Sequence, residues 1–125
     1  VSKILRPFIV IIVEDEPMIL MAAAYELQDA DFVVIEAGTA DEALKILESD
    51  APKIHVVFTD VHMPGVMDGI ALAHHVRHHW PHIGLLVASG QSRPRRHDLP
   101  EDCRFVAKPY DLDEVVGHIR ELTGS

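Results

Sequence analysis

The chain has one cysteine, Cys103, and that scarcity closes several routes. A single thiol can form neither an internal disulfide nor a cysteine zinc site. A small filler in or near the core is the favoured role for it, ahead of a reactive thiol. Long apolar runs are missing too. None approaches the about 20 residues of a membrane helix, and the run at residues 8–13 is strand-sized. No signal-peptide pattern opens the chain. Positive charge is the third deficit. Lys and Arg number 11 against 20 Asp and Glu, a formal net charge of −9 with histidines neutral. Backbone phosphates repel such a domain, so direct nucleic-acid binding is not expected, and the lack of a span-length run speaks against a membrane role. Internal repeats, low-complexity tracts and interdomain linkers are also absent. The expectation is one cytoplasmic domain over residues 1–125, with its core at about residues 7–122.

What is present is an alternation of apolar strands and amphipathic helices. Residues 8–13 (Phe-Ile-Val-Ile-Ile-Val) read as a strand buried on both faces, ending in Glu14-Asp15-Glu16-Pro17. Pro17 suits a first helical turn. Met18, Leu20, Met21, Ala24, Tyr25 and Leu27 then supply an apolar face, and Asp29-Ala30-Asp31 stops the helix. Residues 32–37 form a second strand. Thr39, followed three residues later by Glu42, predicts a capping box ahead of a second helix. A third strand at 55–59 leads into Asp60. Asp68-Gly69 opens a third helix with Ile70, Ala73 and Val76 on its core face, and Pro81 ends it. Residues 84–88 are a fourth strand, ending in Ser89-Gly90. Residues 104–107 are a short fifth strand, ending in Lys108-Pro109, and Asp111 caps a last amphipathic helix. Between these two strands, residues 91–102 carry two prolines and three arginines, so a fourth helix there is expected to be short or irregular. The pattern predicts an α/β fold, a doubly wound five-stranded parallel sheet, for which the common order 2-1-3-4-5 is expected.

The informative stretch is residues 56–65, Val-Val-Phe-Thr-Asp-Val-His-Met-Pro-Gly. A β-branched run is cut off by Asp60, and a Pro-Gly turn follows. Alone, Asp60 is either a reactive group or an acid capping a loop. Its companions lie at the other strand ends: Glu14 and Asp15, Ser89, and Lys108. In the expected strand order these tips lie side by side, in the crevice where α/β sheets place their chemistry. Three clustered carboxylates call for a cation, and hard oxygen ligands suit Mg²⁺. Adding an ammonium and a hydroxyl makes a site for a phosphoryl group on Asp60. A carboxylate is ionised at neutral pH and needs no general base to attack.

These residues carry a resemblance. Val13-Glu14-Asp15-Glu16, residues 59–65, Asp68-Gly69, Ser89-Gly90 and Lys108-Pro109-Tyr110 together resemble the receiver domains of two-component response regulators, a flavodoxin-like fold, over about residues 7–122. The resemblance implies that Asp60 accepts a phosphoryl group from a histidine kinase or histidine phosphotransfer protein. It implies Mg²⁺ held by Asp15 and Asp60, with Glu14 acting through water and the backbone carbonyl of His62 completing the protein ligands. Ser89 matches the switch hydroxyl, Phe105 the switch aromatic, and Lys108 the lysine that pairs with the phosphoryl group. A cis bond between Lys108 and Pro109 is expected. His62 and Gln91 are expected to tune the lifetime of the phosphoryl group. Gly90 departs from the alanine common in the family.

Three functions compete: a phosphorylation-dependent switch, a Mg²⁺-dependent aspartyl-phosphate phosphatase or hydrolase, and a degenerate receiver used for binding alone. A hydrolase of this topology wants a second acid two residues after its nucleophile, where this chain has His62. The intact Asp60, Ser89 and Lys108 argue against degeneracy. The favoured reading is a switch that assists its own phosphoryl transfer and is otherwise not an enzyme, either free-standing or the receiver of a hybrid kinase. Its expected output is protein binding, and a homodimer is left open. His74, His75, His78 and His79 are expected to be a solvated patch rather than a metal site. Trp80 is expected to pack against the end of its helix.

Overall fold

A computed structural model describes residues 7–63, 65, 67–90 and 96–124, with the Arg96 side chain left aside. Elements alternate along the chain: β1 (Ile9–Val13), α1 (Pro17–Asp29), β2 (Val33–Ala37), α2 (Ala40–Asp50), β3 (Val56–Asp60), α3 (Gly69–His79), β4 (Gly84–Ser89), β5 (Cys103–Ala107) and α4 (Leu112–Thr123). The strands form one parallel sheet in the order β2-β1-β3-β4-β5. This is the expected doubly wound fold. In place of a fourth long helix, the described part of the 91–102 segment holds a single 3₁₀ turn, Arg96–Asp98, so the last helix is α4.

The central strands alternate sides, as a two-residue period requires. Ile11, Val13, Val57, Leu85 and Val87 face α2 and α3, where Leu47, Leu72 and Val76 are fully buried. Val10, Ile12, Phe58, Leu86 and Ala88 face α1 and α4, meeting Leu27, Val115 and Ile119. β3 is buried at all five residues, which is why its sequence shows no polar alternation. Each fully buried aliphatic side chain contributes about 1.5–3 kcal/mol.

The caps follow the sequence. Thr39 Oγ1 accepts the Glu42 N–H at 3.1 Å, while Glu42 Oε1 reaches the Gly38 N–H at 3.2 Å, one residue earlier than the ideal box. Asp68 and Asp111 cap α3 and α4. Asp31 leaves α1 at φ 72°, a left-handed turn that short polar side chains tolerate.

One face was misjudged by the apolar pattern. Met18, Met21 and Tyr25 are 76, 63 and 68% exposed. The buried stripe of α1 is Ala23, Ala24 and Leu27, with Leu20 half-buried. The two stripes stand roughly 140° apart at 100° per residue. Small alanines let the helix sit close to the sheet, and the larger apolar residues are left outside. No helix among the described residues is long and apolar enough to cross a membrane.

Candidate functional site

The parallel register brings the strand tips together. Asp60 is the last residue of β3 and lies opposite Ala88 of β4, while Ser89 lies opposite Ala107 of β5. Backbone hydrogen bonding continues past the strand ends. Glu14 N–H donates to Ala37 O at 3.0 Å, Val61 N–H to Ala88 O at 2.9 Å and Lys108 N–H to Ser89 O at 2.9 Å. Residues far apart in sequence are thereby held within a side chain's reach.

Lys108 Nζ lies 3.0 Å from Glu14 Oε1 and 3.0 Å from Asp60 Oδ2, donating to both. Both acids are buried, at 4 and 8% exposure, so this ammonium is a shared counter-charge in a poorly hydrated site. Glu14 Oε2 also accepts the Glu16 N–H at 3.1 Å. Burial raises the Glu14 carboxyl above its ordinary range, against the lowering pull of that backbone bond and of Lys108. Burial opposes the charge on Lys108, but hydrogen bonds to Asp60 and Glu14 and the field of both carboxylates outweigh it and raise its pKa. Burial also raises the Tyr110 hydroxyl, with help from the Glu14 charge. The Tyr110 ring stands edge-on to Phe58, with centroids 5.5 Å apart.

Glu14, Asp15 and Asp60 each offer an oxygen within 4.8 Å of the others. It is the one such cluster of three metal-ligating side chains among the described residues. Its all-carboxylate donor set fits a hard divalent cation with room for water. Asp15 is exposed, so one edge of the cluster faces solvent. The Lys108–Pro109 bond is cis.

The remaining residues of interest fall as follows. Ser89 is buried at the end of β4, and Phe105 is half-buried in β5 opposite Val87. His62 is exposed, two residues past Asp60 in the chain. Gln91, Pro64, Arg93 and Arg95 lie outside the described residues. On α3, the His75 and His79 rings stack at 4.0 Å, and Trp80 tilts against both. His74 is tied rather than free, because its Nε2 donates to Asp98 O at 2.8 Å. Arg77 grips the same loop through Glu101 O at 2.9 Å. These ties to backbone carbonyls leave no trace in the sequence. Tyr110 was legible only as part of a motif, since its approach to the acids depends on the turn after Lys108.

A family model for the response regulator receiver domain matches residues 10–120. The chain belongs to that family. It is a receiver domain of two-component signalling. The receiver is 33% identical over 116 residues to the sensor kinase CckA of Brucella abortus, covering 90% of this chain and 12% of that protein. It is 30% identical over 89 residues to the transcriptional regulatory protein RcsB of Escherichia coli, covering 68% of this chain and 40% of that one. It thus spans a minor part of either relative. Among solved structures, a response regulator receiver protein from Sinorhizobium medicae superposes with a TM-score of 0.89, covering 96% of this chain and 97% of its own at 22% identity. The receiver domain of the hybrid histidine kinase CckA superposes with a TM-score of 0.79, covering 92 and 98% at 28% identity.

Proposed function

We propose that the receiver is a switch in which Asp60 takes a phosphoryl group from a histidine kinase or histidine phosphotransfer protein. The observation that carries this reading is the buried Asp60 carboxylate, 3.0 Å from the Lys108 ammonium at a converging set of strand tips. A carboxylate oxygen of Asp60 attacks phosphorus, the P–N bond of the phosphohistidine breaks, and its electron pair stays on the imidazole. An acyl phosphate results. Lys108 neutralises charge on the transferred group, and Ser89 offers its hydroxyl to a phosphoryl oxygen. Mg²⁺ fits the carboxylates of Glu14, Asp15 and Asp60, with the His62 carbonyl as a further ligand. When bound, it supplies charge neutralisation at the phosphoryl oxygens.

Phosphorylation adds negative charge at the tip of β3, the central strand, and draws Ser89 toward it. Phe105 has no hydroxyl, so its response is a change of packing that alters partner binding. His62 and Gln91 set how fast water removes the phosphoryl group. A protein donor has an apolar landing strip beside the acids. Met18, Met21 and Tyr25 lie exposed on α1, and Met18 borders a cavity of about 600 Å³ that reaches Lys108, Pro109 and Tyr110. The likeness to CckA favours a second reading of context, in which this receiver belongs to a hybrid kinase.

The test is incubation with Mg²⁺ and phosphoramidate, followed by intact mass. One phosphate adduct on the wild type, absent from Asp60→Asn, supports the switch. Repeated turnover of the donor at enzyme-like rates favours a hydrolase instead. Absence of any adduct leaves only a binding module.

A further inference from the structure

Gly69 opens α3, directly after its Asp68 cap, and is buried. Its backbone is not left-handed, since the positive-φ glycines among the described residues are Gly65 and Gly124. Glycine is therefore not needed here for its conformational freedom. Space is the reason. A Cβ at residue 69 would lie 1.8 Å from Asp60 O, 2.7 Å from Asp60 C and 3.0 Å from Val61 Cα. All three are backbone atoms, so no rotamer change relieves the clash.

The peptide under that contact is held from several sides. Asp60 O accepts the Thr59 hydroxyl at 3.0 Å. Val61 N–H donates to Ala88 O at 2.9 Å, and Val61 O accepts the Gly69 N–H at 2.9 Å. The start of α3 thus rests on the carbonyl of the residue read as the phosphoacceptor. We infer that Gly69 is a positioning residue for phosphoryl transfer: its missing side chain lets α3 seat against the Asp60 peptide and aim the carboxylate at Lys108. The inference rests on the phosphoacceptor reading of Asp60. Any side chain at 69 must push the tip of β3 away from α3 by about an ångström, and a misplacement of about 1 Å can cost roughly 10²-fold in rate.

A second packed glycine supplies the control. At Gly84, the first residue of β4, a Cβ would meet only the Leu122 side chain, at 3.2 Å or more. That strain lies at the opposite end of the sheet from Asp60. The wild type, Gly69→Ala and Gly84→Ala are phosphorylated with phosphoramidate and Mg²⁺ well below their melting temperatures, and thermal melts run alongside. Both variants are expected to melt earlier, and only Gly69→Ala to slow adduct formation, by about 10²-fold. A folded Gly69→Ala that reacts at the wild-type rate overturns the inference. So does a Gly84→Ala that slows as much for the same loss of stability. If Gly69→Ala does not fold, Thr59→Val perturbs the same Asp60 carbonyl more gently. A several-fold loss of rate supports the inference, and an unchanged rate sinks it. Absence of an adduct on the wild type removes the phosphoacceptor reading and this inference with it, whereas a wild-type rate in Gly69→Ala removes the inference alone.

Discussion

Lowering the pH from about 8 to about 5 is expected to weaken the far end of the sheet through His55. This residue lies just ahead of β3 and joins three strands. Its Nδ1 accepts the Ile9 N–H at 2.9 Å. Its own N–H donates to Ile9 O at 2.9 Å, and its carbonyl accepts the Gly84 N–H at 2.8 Å. Phe8 stands edge-on to the ring at 4.9 Å. A ring nitrogen that accepts a hydrogen bond cannot carry a proton, so the bond to Ile9 exists only while the imidazole is neutral. Burial lowers the His55 pKa below 6.5, and the charge of nearby His82 lowers it further. The sign follows. Above the unfolded value the ring is neutral in both states and the bond stabilises fully. As pH falls from there to the lower folded pKa, the unfolded chain takes up a proton that the folded one refuses, and stability is lost. One neutral hydrogen bond is worth about 0.5–1.5 kcal/mol. In a domain of this size that is roughly 2–8 °C in melting temperature. The chain has eight other histidines, so the measurement is a difference. His55→Phe keeps an aromatic ring against Phe8 and lacks the acceptor. Thermal melts across the range are expected to show the wild type above the variant at high pH, with the gap closing below about pH 6.5. A gap independent of pH would refute the assigned role of Nδ1.

Lys108→Ala leaves Glu14 and Asp60 buried without their cation. Urea unfolding is expected to show a loss approaching about 3–5 kcal/mol, tempered by the 20% exposure of the lysine side chain, and partly restored by added Mg²⁺. Burial pushes the Cys103 thiol up to about 12, so iodoacetamide at about pH 8 is expected to spare the native protein and label the unfolded one, read by intact mass. Prompt labelling of native protein would count against that burial. Changing both Met21 and Tyr25 to serine is expected to move stability by less than about 1 kcal/mol, because both side chains are exposed. The same change is expected to slow transfer from a protein donor while leaving reaction with phosphoramidate unchanged. Equal slowing with both donors would remove the landing strip.

Much of the site was legible because buried parallel strands are almost purely apolar. Where such a run stops, the next polar residue is conspicuous, and this picked out Glu14, Asp60, Ser89 and Lys108. Alternation of elements implied a parallel, doubly wound sheet, and the common order 2-1-3-4-5 then set these tips side by side. The α1 face was not legible in the same way. Apolar residues occupy two sides of that helix, and spacing alone does not say which side meets the sheet. Packing chose Ala23, Ala24 and Leu27, because small side chains permit close approach. His74 is exposed, as its place on the helix predicts, and it also donates to a carbonyl 24 positions away. Side-chain to backbone contacts of that kind have no periodic signature.

Asp60 shows where the division falls. Its residue type, its place after a β-branched run and its companions at other strand ends are local properties, and one-dimensional pattern suffices to read them. Which charges surround it, and how closely, depends on pairings between residues up to 94 positions apart. Lys108 reaches Glu14 and Asp60 together only because the parallel register sets three strand tips at one level. Gly69 is the sharper case. In the sequence it reads as a helix start and as one member of a family motif. The fold presses it onto the Asp60 carbonyl, where even one carbon more has no room.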